Sequence, residues 1–175
     1  MTEAVTYRVA NAADAELLAS FAARTFVDTF GRLYPPEDLQ AYLLASYGAE
    51  IQREELSDAT MRYWLALIGE TIVGYAMAGP CEIKVKHGEA DCELYRLYVD
   101  RDVRGKGVAD ALMKNVVDWT KAGGAEALWL SVWENNQRAQ NFYRRYAFEH
   151  VGEHKFMVGR VADRDFIWKL ALAGP

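Results

Sequence analysis

Apolar and polar positions along the chain repeat with two periods, and their order predicts a layered α/β domain. Val5, Tyr7 and Val9 alternate with polar neighbours and predict a short first strand. From Ala13 to Phe30 the period lengthens: Leu17, Leu18, Phe21 and Thr25 recur at helical spacing, with Asn11 or Asp14 as the N-cap. Gly31 and Pro35-Pro36 break that helix. A second helical stretch carries Leu39, Tyr42 and Leu43 on one side, and a third covers Ile51 to Leu56. Tyr63 to Ile68 and Thr71 to Ala78 read as strands joined by a hairpin at Gly69-Glu70. After a polar, turn-rich segment from Gly79 to Asp91 comes a strand, Cys92 to Val99. A helix follows from Gly107 to Ala122, ended by Gly123-Gly124, with Val108, Leu112 and Val116 inside. Ala127 to Trp133 is nearly continuously apolar, as in a strand covered on both faces. A short helix from Gln137 to Tyr146 and two strands, near Val151 to Val158 and Asp165 to Leu170, complete the pattern: a mixed sheet flanked by helices.

Composition narrows the function. At 175 residues, without repeats or a linker, the chain fits one domain spanning 1–175. No apolar run reaches the length of a membrane span, and Met1 to Asp14 lacks the basic-then-apolar order of a signal peptide. Cys81 and Cys92 form neither a CxxC pair nor a cluster with histidine, so a metal site is not expected and a reducing cytoplasm is. A net charge of −5 argues against nucleic acid as a partner and favours cationic small molecules.

The chemistry concentrates between Glu93 and Ala109. A strand, Cys92-Glu93-Leu94-Tyr95-Arg96-Leu97-Tyr98-Val99, runs through Asp100-Arg101-Asp102-Val103 into Arg104-Gly105-Lys106-Gly107-Val108-Ala109, where a helix opens. The first amides of a helix lack partners and carry partial positive charge, so this junction suits a pyrophosphate. Gly105 and Gly107 let phosphate oxygens approach the main chain, and Arg101, Arg104 and Lys106 add charge. The loop lacks the GK[ST] of a P-loop and the third glycine of a dinucleotide fingerprint, since Asp110 stands there. Thirty residues on, Ala139, Phe142, Tyr143 and Tyr146 fall on one helical face, which projects Tyr143 between the two central strands.

Arg104-x-x-Gly107-x-Ala109 resembles the acyl-CoA signature of the GNAT superfamily of N-acetyltransferases, and Asn136-x-x-Ala139-x-x-Phe142-Tyr143 resembles its later helix motif. Ala147 stands where that family usually has glycine. The resemblance implies a mixed, mostly antiparallel sheet of about seven strands with the fourth and fifth splayed apart. It implies acetyl-CoA as acyl donor: the main chain of Leu97, Tyr98 and Val99 against the pantetheine arm, and amides of Arg104, Gly105, Lys106, Gly107, Val108 and Ala109 around the pyrophosphate. Asn136 contacts the arm and Arg145 reaches the phosphates. A homodimer is a family-level expectation.

An alkylamine with a pKa near 10.4 is neutral only about one part in 10³ at pH 7, so the reaction needs a base. Glu93 is the candidate, placed by strand alternation on the same face as Val99 and matching a glutamate base of some family members. Its other reading is a paired strand carboxylate. Tyr143 is the candidate acid for the departing thiolate, against the reading of a core tyrosine. A backbone N–H around Val99 is the oxyanion donor, and Asn136 also reads as an N-cap. His87, His150 and His154 read as ordinary surface or strand residues, and Trp129 and Trp133 as core before acceptor-binding, though Trp133 sits at the strand end where a pocket could open.

Phe26-x-x-Thr29-Phe30-Gly31, Glu37-Asp38-Leu39, Tyr42-Leu43, Glu93-Leu94-x-Arg96-Leu97-Tyr98-Val99 and Phe156-x-x-Gly159 with Asp165 resemble the bacterial spermidine/spermine acetyltransferase branch. That implies a small-molecule amine acceptor, a polyamine, walled by Phe30 and Tyr34, with Glu37 or Asp38 as its carboxylates. Two other readings stand beside it: a protein N-terminal or lysine acetyltransferase with an open groove, and a non-catalytic acyl-CoA sensor.

Overall fold

The computed structural model describes residues 4–172. Seven strands form one sheet in the order β1-β2-β3-β4-β5-β7-β6, namely Thr6–Val9, Arg62–Ile68, Thr71–Pro80, Cys92–Val99, Ala127–Trp133, Glu149–Val158 and Val161–Ala171 for β1 to β7. All pairs are antiparallel except β4 with β5. Helices α1 (Ala15–Phe30), α2 (Pro36–Tyr47) and α3 (Ala49–Ser57) cover one face, and α4 (Val108–Ala122) and α5 (Gln137–Arg145) the other. Among the described residues, no helix is long and apolar enough to cross a membrane.

The local signals explain most boundaries. Asn11 accepts from the amide of Ala13 and donates its own amide to Asp14, a reciprocal cap that starts a 3₁₀ turn before α1. The inward face of α1 is Leu18, Phe21, Ala22, Thr25 and Phe26, while Leu17, expected inside, is 60% exposed. Gly107 caps α4 in the left-handed conformation at φ 81°, and Gly124, at φ 80°, follows its end. β6 and β7 are longer than the pattern predicted, because β7 begins at Val161 and pairs through Asp163 and Asp165 with Phe156 and His154.

One irregularity matters for the site. Leu94 stands opposite Ala78 and Arg96 opposite Met77, so Tyr95 is an extra residue in β4, a β-bulge. An extra residue reverses the alternation beyond it. Leu94, Leu97 and Val99 all pack toward α4 and α5, whereas Tyr95 and Tyr98 pack toward α1 and α2. Glu93 therefore shares a face with Tyr98, and the expected common face of Glu93 and Val99 is corrected.

Candidate active site

β4 and β5 pair only through Cys92, Glu93 and Leu94 with Leu128, Trp129 and Leu130. Beyond that point β5 stays bonded to β7 as far as Trp133, and β4 stays bonded to β3 as far as Val99. The two strands separate and leave a cleft in mid-sheet. The amide of Asp100 donates to the carbonyl of Val73 at 2.8 Å. Alternation along an antiparallel ladder then turns the main-chain groups of Val99 and Leu97 toward the open edge. The side chain of Arg104 donates to one of them, the Val99 carbonyl, at 3.2 Å.

At the cleft's end the chain makes a short turn. The amides of Arg104 and Lys106 bond back to Arg101 and Val103, both at 3.3 Å. The expected cradle therefore narrows: Gly105, Gly107, Val108 and Ala109 retain amides without a main-chain partner among the described residues. Gly105 and Gly107 both have positive φ, and a Cβ at either would meet nothing within 4 Å, so this side of the turn is open. Open, unpaired amides at the head of a fifteen-residue helix fit a pyrophosphate. Arg138, which the sequence reading passed over, lines the same groove with Arg104. Burial, then Arg138 and Arg101, lowers the pKa of Arg104, the signature of crowded cations.

α5 brings Tyr143 across the cleft from β4. The Tyr143 ring packs against Phe142 and Phe148, both with centroids 5.6 Å away. Burial raises the pKa of its phenol, which keeps its proton at neutral pH. Asn136 caps α5 by accepting from the Ala139 amide at 3.2 Å, and it also faces the cleft. The Arg145 guanidinium meets Asp110, in the first turn of α4, at 3.3 Å on the surface, beside the Tyr146 hydroxyl bonded to the same carboxylate. It ties α5 to α4.

Two cavities open from the cleft. One of about 210 Å³ runs along Val99, Arg104, Ala109 and Arg138. The other, about 330 Å³, lies toward α1 and α2 among Phe30, Tyr34, Tyr42, Trp133 and Phe156. They share Leu97, Tyr98, Asn136, Ala139 and Tyr143. Phe30 meets Trp133 edge-on at 6.0 Å, which moves Trp133 from the core to the cavity wall. Trp129 is core, as expected, and donates its indole N–H to Asp91 at 2.9 Å.

Three carboxylates line the larger cavity: Glu93, Asp163 and Asp165. Glu93 is 9% exposed and accepts from the Glu82 amide at 3.0 Å; burial raises its pKa. Asp163 accepts from the hydroxyl of Tyr34, which fastens the α1–α2 connection to the β6–β7 hairpin. Asp38, expected in the acceptor site, instead pairs with Arg160 of that hairpin, and Glu37 is exposed. His154, read as an ordinary strand residue, lines the cavity and is 2.9 Å from the Ser131 hydroxyl; burial lowers its pKa. The cation present, Arg96, is already paired with Glu55 at 2.9 Å.

The groove of open amides and the carboxylate-lined cavity meet at the buried phenol of Tyr143. The chain belongs to the Acetyltransferase (GNAT) family, whose model matches residues 23–148, and it is an N-acetyltransferase. It is 33% identical over 154 residues to an uncharacterised N-acetyltransferase of Mycobacterium tuberculosis, covering 88% of this chain and 95% of that one. An uncharacterised N-acetyltransferase of Lactobacillus delbrueckii subsp. lactis is 28% identical over 150 residues, 85% of this chain and 86% of its own. Among solved structures, the PaiA N-acetyltransferase of Thermoplasma acidophilum in complex with coenzyme A superposes with a TM-score of 0.79 at 20% identity, over 97% and 99% of the two chains. Arabidopsis thaliana NAA60 in complex with a bisubstrate analogue gives 0.72 at 19%, over 98% and 100%.

Proposed function

We propose that this enzyme acetylates a primary amine of a small cationic molecule, a polyamine, with acetyl-CoA as donor. The observation that carries the reading is the meeting of the amide-lined groove and the carboxylate-lined cavity at Leu97, Tyr98, Asn136, Ala139 and Tyr143. Acetyl-CoA, when bound, supplies an activated acetyl thioester. The relatives named N-acetyltransferase and the neighbour holding coenzyme A support that donor.

The protein's own groups divide the remaining tasks. The open edges of Leu97 and Val99 hold the donor arm as a neighbouring strand would, and an outward amide there polarises the carbonyl. Glu93, its pKa raised by burial, accepts the proton of the incoming ammonium through water. Tyr143 holds a proton at its hydroxyl for the departing sulfur. The roof made by Tyr34 on Asp163 and by Asp38 on Arg160 supports a closed pocket for a small acceptor over an open peptide groove.

Thiol release with acetyl-CoA and a panel of amines tests the reading. Turnover with small polyamines is expected. Turnover only with peptide amines, or acetyl-CoA binding without turnover, contradicts it.

A further inference from the structure

Asp165 is 8% exposed, lines the acceptor cavity, and has no hydrogen-bond donor or cation beside it among the described residues. A buried charge without a partner is costly, and proteins retain it where a ligand supplies the partner. Its surroundings cannot supply one. Asp163 on the same strand and Glu134 across it are also acidic. Arg164, the nearest arginine in sequence, is spent on Glu134 at 2.6 Å and Glu153 at 3.6 Å. His154, the partner across β6, has its pKa lowered by burial, which disfavours its charged form. Tyr34 and Tyr42, from the α1–α2 side, are neutral phenols whose pKa values burial raises. Arg96 of β4, which lines the same cavity, is paired with Glu55 at 2.9 Å, and Phe30, Trp133 and Phe156 offer aromatic faces, which attract cations.

Position separates this carboxylate from the chemistry. Asp165 stands opposite Trp133, one strand beyond the cleft. β5 and the opened gap lie between Leu97 and Asp165, so their backbones are more than two paired-strand spacings apart, upward of roughly 10 Å. The logic of charge agrees with the separation. A reacting amine must lose its proton, and an unpaired carboxylate against that nitrogen would hold the proton on. A carboxylate at a distance can bind a second ammonium without that penalty.

We propose that Asp165, with Asp163 beside it, forms a subsite for the second, non-reacting ammonium of a diamine or longer polyamine, and so determines acceptor specificity. The proposal rests on the small-amine reading above and adds that the acceptor is recognised at two ends. It requires no new reaction step.

The test compares putrescine with n-butylamine, which has one amine on a chain of the same length, in the wild type and in Asp165→Asn. The wild type is expected to favour putrescine by roughly 10- to 100-fold in kcat/KM, the range of a charge-assisted hydrogen bond, and Asp165→Asn to bring the ratio near one through KM. A general defect in folding would lower both amines together and leave the ratio unchanged. Equal use of both amines by the wild type, or a ratio that survives in Asp165→Asn, overturns the subsite while the small-amine reading stands. Acetylation of neither amine, nor of any longer polyamine in the same assay, overturns both. Should Asp165→Asn fail to bind acetyl-CoA, Asp165→Glu carries the test. With its charge one methylene further out, it is expected to prefer a shorter diamine, and an unchanged chain-length preference overturns the proposal.

Discussion

Leu94 and Leu130 are the last residues through which β4 and β5 pair. One residue later Tyr95 bulges, and beyond it the strands go separate ways, each still bonded on its far side. The bulge and the separation together create the cleft and decide which side chains see it. Tyr98 and Glu93 face the acceptor side, while the side chains of Leu97 and Val99 turn toward α4 and α5.

Tyr143 touches both cavities and keeps its proton. Tyr143→Phe is expected to lower kcat by roughly 10²-fold while acetyl-CoA affinity stays nearly unchanged. Steady-state kinetics with a calorimetric titration of the donor checks this. Full turnover in a chemistry-limited assay removes Tyr143 from the mechanism.

Glu93 must be ionised to accept a proton, and burial moves that ionisation to higher pH than for an ordinary glutamate. With n-butylamine as acceptor, kcat/KM is expected to lose an acidic limb in Glu93→Gln and to fall roughly 10²-fold on the plateau. A profile with the wild-type shape and height would leave Glu93 as a structural acceptor for the Glu82 amide.

Much of this was legible in the sequence. The strand, glycine turn and helix from Cys92 to Ala122 follow from alternation and capping, and α5 follows from its apolar face. The bulge at Tyr95 was not, because no glycine or proline marks it and it arises from pairing with β3. Two of the three carboxylates of the acceptor cavity, Asp163 and Asp165, were not read as acceptor ligands for a related reason. Asp163 lies in the polar stretch between the two last strands as read from the pattern, and Asp165 at the start of the second; the pairing of β7 with both β5 and β6 sets the two in the sheet beside the cavity. Asp91 shows the same limit. It ends a turn-rich segment, yet it accepts from the amides of Gly88, Glu126 and Ala127 and the indole of Trp129, locking that segment onto β5.

Ala147 was recognised as a departure from glycine, and its φ of 63° shows what the departure costs. A side chain in the left-handed region is disfavoured by about 1–2 kcal/mol, partly offset by the greater unfolded-state entropy of glycine. Ala147→Gly is expected to stabilise the protein by about 0.5–1 kcal/mol, seen as a higher urea midpoint at constant slope. A lower midpoint would contradict this account of the turn.

Burial, then Asp163 and Glu134, pushes the Asp165 pKa up from 3.8 to about 6. The native state therefore binds this proton more tightly than the unfolded chain does. The associated stability is complete below the unfolded value and is lost as pH rises to about 6. Asp165→Asn is accordingly expected to melt higher than the wild type above pH 6, with the difference shrinking as pH falls toward 4. A difference that does not change with pH would show that Asp165 is not a strained carboxylate.

A crystal structure with coenzyme A tests the central claim most directly. The pantetheine arm is expected along the open edge of Leu97 and Val99, between β4 and β5, with the pyrophosphate at the amides of Gly105, Gly107, Val108 and Ala109 and the sulfur within reach of the Tyr143 hydroxyl. Coenzyme A bound elsewhere, or β4 and β5 paired through to Trp133, would contradict it.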